Sequence, residues 1–103
     1  MASYVILGSA TPSAAGTSTL VTGSTNGSVV SSFSVCNRSS STDAIRVSIT
    51  KSGGSAYYVY YGFNLPANSS IRETPGWTLA SGDTITVYST VGNTDFIATG
   101  TTL

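Results

Sequence analysis

Apolar and polar residues alternate with period two along much of this chain, and serine and threonine fill most of the polar phase. Ile45, Val47 and Ile49 alternate with Arg46, Ser48 and Thr50. Ile85 and Val87 alternate with Thr84, Thr86 and Tyr88. Successive side chains on a strand point to opposite sides, so strict alternation is what a strand buried on one face requires. No segment carries a helical period. The pattern predicts an all-β, antiparallel protein.

Read along its length, the chain gives seven to eight short strands at intervals of about ten residues, the spacing of a β-sandwich or barrel. Tyr4–Leu7 is a first strand. Ser9–Thr19 lacks a period and reads as a long loop or extended arm. It either wraps an edge of the domain or reaches a neighbouring subunit, and a segment of this length spans up to roughly 35 Å when extended. Leu20 and Val21 open a second strand. Asn26-Gly27 suits a hairpin turn, since both residues tolerate positive φ. In Ser28–Asn37, Val29, Phe33 and Val35 share one phase while Val30 and Cys36 share the other, which places this strand centrally. Ala44–Lys51 and Ala56–Leu65 follow, joined by the turn Ser52–Ser55. Ser70–Glu73 is a short edge strand before Pro75. Thr84–Thr90 and Phe96–Thr99 end the series. The expected architecture is one antiparallel sandwich over residues 1–103, Ig-like or jelly-roll-like.

Serine and threonine supply about a third of the chain, a content that by itself suggests disorder. Aromatic and β-branched residues inside the patterned segments argue against it, and threonine is itself a good strand former. Charged residues make up 8% and the formal net charge is zero. The cations are Arg38, Arg46, Lys51 and Arg72. Four cations against four acids do not build the phosphate-neutralising footprint of a nucleic-acid binder, and anionic membranes are disfavoured for the same reason. Low charge also removes the usual barrier to self-association, so a homo-oligomer, dimer or trimer, is expected. The N-terminus lacks a basic region followed by a long apolar run, so folding in a cytoplasm is expected rather than secretion. The small Ala2 favours removal of Met1.

The chain has no histidine and one cysteine. The commonest general base and transition-metal ligand is therefore missing, and no intramolecular disulfide forms. Cys36 reads as a small buried apolar residue. Asp43, Glu73, Asp83 and Asp95 are scattered. Asp83 and Asp95 read as turn residues bonded to their own backbone. No catalytic residue, cofactor or metal is expected.

The tyrosines remain. In Ala56–Leu65, Tyr57, Val59, Tyr61, Phe63 and Leu65 share the core phase, and Tyr58, Tyr60, Gly62 and Asn64 the outward phase. With the preceding strand as hairpin partner, Tyr58 and Tyr60 stand beside Arg46 and Ser48. Tyrosine and arginine on a flat sheet make a contact surface, and Tyr88 lies in the outward phase of its own strand. Cross-strand stabilisation of the sheet is the plainer alternative. The interface candidates are Tyr58, Tyr60, Arg46 and Tyr88.

Two stretches carry a family likeness: SSFSVCNRSSSTDAIRVSI, Ser31–Ile49, and LASGDTITVYS, Leu79–Ser89. In them, and in segment order over nearly the whole chain, the protein resembles small virion proteins of tailed bacteriophages, including cyanophages. The resemblance implies a non-enzymatic β-sandwich of the particle, either a capsid cement (decoration) protein or a tail, neck or fibre accessory. It implies the major capsid protein as partner and a place on the capsid surface after assembly in the host cytoplasm. A carbohydrate-binding module is the reading from another class. The matched stretches look like fold determinants, so no functional residue is carried over from them. Arg38 and Arg46 lie within the first, where turn bonding and surface placement account for them.

Overall fold

The computed structural model describes residues 4–103, so the expected loss of Met1 lies outside the described residues. Nine strands form two antiparallel sheets, and the described residues contain no helix. They are β1 (Tyr4–Ala10), β2 (Gly16–Thr22), β3 (Ser28–Asn37), β4 (Asp43–Thr50), β5 (Ala56–Leu65), β6 (Ser69–Glu73), β7 (Trp77–Leu79), β8 (Thr84–Ser89) and β9 (Thr94–Thr102). The ninth strand beyond the expected series is β7, three residues long, which follows β6 along the same edge of β3.

One sheet runs β1-β9-β3-β6, with β7 also on β3, and the other runs β2-β8-β4-β5. The order decides between the two expected topologies. An immunoglobulin sandwich keeps its first two strands in one sheet. Here β1 and β2 lie in different sheets. The pairs β1·β9, β2·β8, β3·β6 and β4·β5 instead describe one long antiparallel ribbon, with the β4–β5 hairpin as its tip. Rolled up, so that β3 also meets β9 and β4 also meets β8, this ribbon is a jelly roll.

The core lies between the sheets. Phe33, Val35 and Val30 of β3 and Phe96 and Ala98 of β9 face Ile45 and Val47 of β4 and Ile85 and Val87 of β8. Phe33 is its aromatic centre. Its ring centroid is 5.5 Å from Trp77, 6.4 Å from Phe96 and 6.5 Å from Tyr60.

β-Bulges account for several departures from the expected phases, since each extra residue exchanges the two faces beyond it. In β3 the pairing with β9 skips Ser31. Val30 thus joins Phe33 and Val35 inside, and Val29 does not. In β2 the pairing skips Leu20, so the adjacent Leu20 and Val21 are both buried.

The long first loop is a correction. β1 continues to Ala10 and β2 begins at Gly16, leaving only Thr11–Ala15 between them. The segment lacks an apolar phase because its inward positions, among them Gly16 and Ser18, hold small residues at a sheet margin. The remaining turn is tied down, with the Ala15 N–H donating to Thr90 O at 3.2 Å and the Thr11 hydroxyl to Asp95 Oδ1 at 2.6 Å. It is a crossover between sheets of its own domain. The Asn26-Gly27 turn is real, with the Gly27 N–H donating to Ser24 O at 2.9 Å, but it too crosses from sheet to sheet and closes no hairpin.

Cys36 is exposed, against expectation. It stands opposite Asp95 on the outer face of its sheet, one residue out of phase with the buried Val35 and Asn37. Asp95 is also corrected. It is a strand residue whose carboxylate takes Arg38 Nε at 2.7 Å and Nη2 at 3.3 Å.

Two buried polar side chains lock the loops at one end. Asn37 donates to Ser41 O at 2.8 Å and Leu65 O at 3.1 Å, and accepts from the Ser39 N–H at 3.0 Å. The fully buried Asp43 carboxylate accepts from the Ser89 hydroxyl at 2.6 Å, the Thr90 N–H at 2.7 Å and the Thr94 hydroxyl.

Candidate functional site

The outer face of the β2-β8-β4-β5 sheet gathers the interface candidates. Pairing registers set its rows. Thr17, Tyr88, Arg46 and Tyr61 lie side by side across the four strands, and Thr19, Thr86, Ser48 and Tyr58 form the next row. Arg46 thus has a tyrosine on each side. Its Cζ is 4.6 Å from the Tyr61 ring centroid and 4.7 Å from that of Tyr88. Each such contact contributes about 0.5–1 kcal/mol at an exposed site.

Tyr58, Arg46 and Tyr88 therefore meet as the sequence suggested, and Tyr60 does not join them. β5 carries two bulges. Against β4, the register skips Gly62 between Phe63 and Tyr61, and skips Val59 between Tyr60 and Tyr58. The two skips swap Tyr60 and Tyr61 and leave the outer positions in phase. Tyr60 turns inward, opposite Val47, and packs against the core beside Phe33. Burial, and then the Glu73 carboxylate beside it, push the Tyr60 phenol above its ordinary pKa. Tyr61 takes the outward place. Gly62 permits the turn of the chain, with φ at +72°. That glycine inside a strand run was the one signal for a bulge in the sequence.

Tyr58 and Tyr61 are 54% and 66% exposed. Tyr58, Arg46 and Tyr88, with Thr17, Ser48 and Thr86, line a shallow pocket of about 90 Å³, and Tyr61 stands beside it. The face carries no acid. Among the described residues the single ion pair joins Arg38 to Asp95, so the Arg46 guanidinium has no carboxylate partner. A guanidinium held between two rings without a carboxylate partner keeps a fork of N–H donors suited to a planar acceptor.

A broader depression of about 370 Å³ lies along β1 and β9, lined by Ser9, Ala10, Thr11, Asp95, Phe96 and Ile97. Its one ionised group, Asp95, is already engaged. The Arg38 guanidinium first, and then the Thr11 hydroxyl, hold that carboxyl below its usual range. No cluster of three or more potential metal ligands occurs among the described residues.

No family model and no curated protein matches the chain. A solved structure, that of infectious bursal disease virus Gx strain, aligns with 98% of this chain at 13% identity and a TM-score of 0.47. The chain spans about 28% of the length of that one. A likeness this weak carries no functional argument.

Proposed function

We propose that the protein is a non-enzymatic structural component of a virus particle, a capsid cement protein of a tailed phage that binds across capsomer junctions through the outer face of the β2-β8-β4-β5 sheet. The observation that carries the reading is the row Tyr88·Arg46·Tyr61 with Tyr58 beside it, where, among the described residues, Tyr58 and Tyr61 are exposed and Arg46 and Tyr88 half-buried. Tyrosine and arginine are the residue types that dominate protein–protein hot spots. The likeness of Ser31–Ile49 and Leu79–Ser89 to phage virion proteins supplies the kind of particle and the major capsid protein as partner. A small contact repeated over a shell contributes a large total.

Self-association as a dimer or trimer falls in this reading to another surface, the β1 edge, where Tyr4 and Ile6 are 79% and 66% exposed. That leaves the tyrosine face for the shell. Quantitative mass spectrometry of purified particles tests the role. Copies on the order of hundreds per particle fit a shell that repeats the site by symmetry. A few dozen or fewer would move the protein to the tail or neck, and none would end the virion reading.

A further inference from the structure

We infer that the Arg46 guanidinium is the seat for an acidic side chain, an aspartate or glutamate of a partner protein, received between Tyr88 and Tyr61. The inference rests on the reading of this face as a protein-binding surface and names what the face recognises.

Three observations carry it. First, Arg46 is the only charged residue in the two rows that cross the face, and its own chain offers it no carboxylate. A guanidinium flanked by rings and hydroxyls binds a carboxylate through paired, charge-assisted hydrogen bonds, shielded from part of the solvent. Second, three of the four acids of the chain are engaged elsewhere. Asp43 is buried with three donors. Asp83 accepts from the Ser52 and Ala80 N–H groups at 2.9 and 3.0 Å. Asp95 holds Arg38, and Glu73 alone is exposed without a hydrogen bond or ion pair. A second copy of the chain therefore brings only Glu73, at the end of β6 in the other sheet, and the self-association readout below separates that case from a different protein. Third, the size of the pocket selects the kind of ligand. About 90 Å³ corresponds to roughly three waters, well below the ~300 Å³ at which small-molecule sites begin. A single carboxylate-tipped side chain fits. A whole sugar ring or nucleotide would be only partly enclosed.

The experiment has two arms. In the first, the labelled domain is titrated at low salt with hexaglutamate, hexaglutamine and glucuronate while the Arg46 Nε–Hε resonance is followed by NMR. The expected result is a saturable shift with hexaglutamate, none with hexaglutamine, and a weaker response to glucuronate. No shift with hexaglutamate, or a tighter response to glucuronate, overturns the proposal, the latter in favour of a carboxylated glycan. In the second arm, the parent and the Arg46→Lys and Arg46→Ala variants are bound to stripped particles, with thermal unfolding confirming that each is folded. Both variants should bind about tenfold more weakly or worse, because lysine keeps the charge and loses the fork. A lysine variant that binds as the parent does overturns the proposal and leaves the virion role standing. If the parent itself does not bind particles, the virion role fails and the first arm still decides the carboxylate seat. A change in self-association on replacing Arg46 would assign the seat to a second copy and overturn the proposal.

Discussion

Tyr58 and Tyr61 meet edge to face, ring centroids 4.8 Å apart and planes at 82°, although they stand at positions i and i+3 of one strand. A regular strand would send them to opposite faces. The bulge at Val59 brings them to the same face, and with the one at Gly62 it restores the outward phase on both sides of Tyr60. The conformation of Gly62 is therefore part of the site. A Cβ there would meet nothing within 4 Å, so Gly62→Ala adds no clash. What remains is the left-handed backbone, which for an L residue costs about 1–2 kcal/mol. Urea unfolding should show that loss for Gly62→Ala, and a smaller one for Gly62→Asn, since asparagine tolerates this region better.

The two β5 tyrosines exchanged by the bulges should respond oppositely to truncation. Tyr60 packs on Phe33 and on Phe63, with centroids 6.5 and 5.3 Å apart. Tyr60→Ser should destabilise the domain by about 2 kcal/mol, part of it from lost aromatic pairing. Tyr58→Ser with Tyr61→Ser removes exposed rings and should change stability by less than about 1 kcal/mol while weakening particle binding. Equilibrium unfolding and a particle co-sedimentation assay read the two effects separately. An equal loss of stability in both variants would mean that the outer tyrosines serve the sheet and not a partner.

Stability should fall at both extremes of pH, for different groups. The Ser52 N–H first, and then that of Ala80, hold Asp83 below the usual carboxylate range, and Arg38 with Thr11 does the same for Asp95. The unfolded chain protonates these groups near pH 4, before the folded one does. Their contribution is thus present above that point and lost as pH falls through the lower folded values. The midpoint of thermal unfolding should drop on acidification below about pH 4, and less steeply in the Asp83→Asn, Asp95→Asn double variant. Tyr60 acts in the other direction. Its folded pKa is raised by burial and then by Glu73, so its contribution is present below about pH 10 and lost as pH rises through the folded value. Phenolate absorbance should show a late-titrating component that Tyr60→Phe removes.

What could be read in advance depends on which strands are regular. β4 and β8 pair with each other without a skip, and period two gave their faces correctly: Ile45, Val47, Ile85 and Val87 in, Arg46 and Tyr88 out. In β3 and β5 an inserted residue moves the phase, and little in the composition of Ser31 or Val59 distinguishes a bulge from a paired position. Cys36 divides the two kinds of cue. Its phase, opposite to that of Phe33 and Val35, was read as a second apolar face and its residue type as buried, yet the phase opposite the core is the one that faces out. Sheet membership was beyond reach of local pattern, because the contacts that place β1 beside β9 join the two ends of the chain. Asp43 was the most consequential omission. It closes a loop in sequence, and its burial arises only when the turn between β8 and β9 folds over it.

That buried carboxylate gives the sharpest test of the fold. Asp43 begins β4, and its three donors come from the end of β8, the following turn and the start of β9. It therefore ties the four-stranded sheet to the five-stranded one where the ribbon doubles back. The Ser89 hydroxyl extends the network by accepting from the Gly92 N–H at 3.0 Å. Asp43→Ala leaves two buried hydroxyls and a backbone N–H without their acceptor and opens a small void. Each orphaned group costs about 1–3 kcal/mol, so a loss of about 3 kcal/mol or more is expected out of a total of about 5–15 for a domain. Asp43→Asn keeps the shape and can still accept from Thr90, and both hydroxyls can turn to accept from its amide. It should lose clearly less. Equilibrium urea unfolding orders the three proteins, and hydrogen exchange at Thr90 and Gly92 should speed up most in the alanine variant. An alanine variant as stable as the parent would mean that water replaces the carboxylate and that the two sheets are held together here by the apolar core alone.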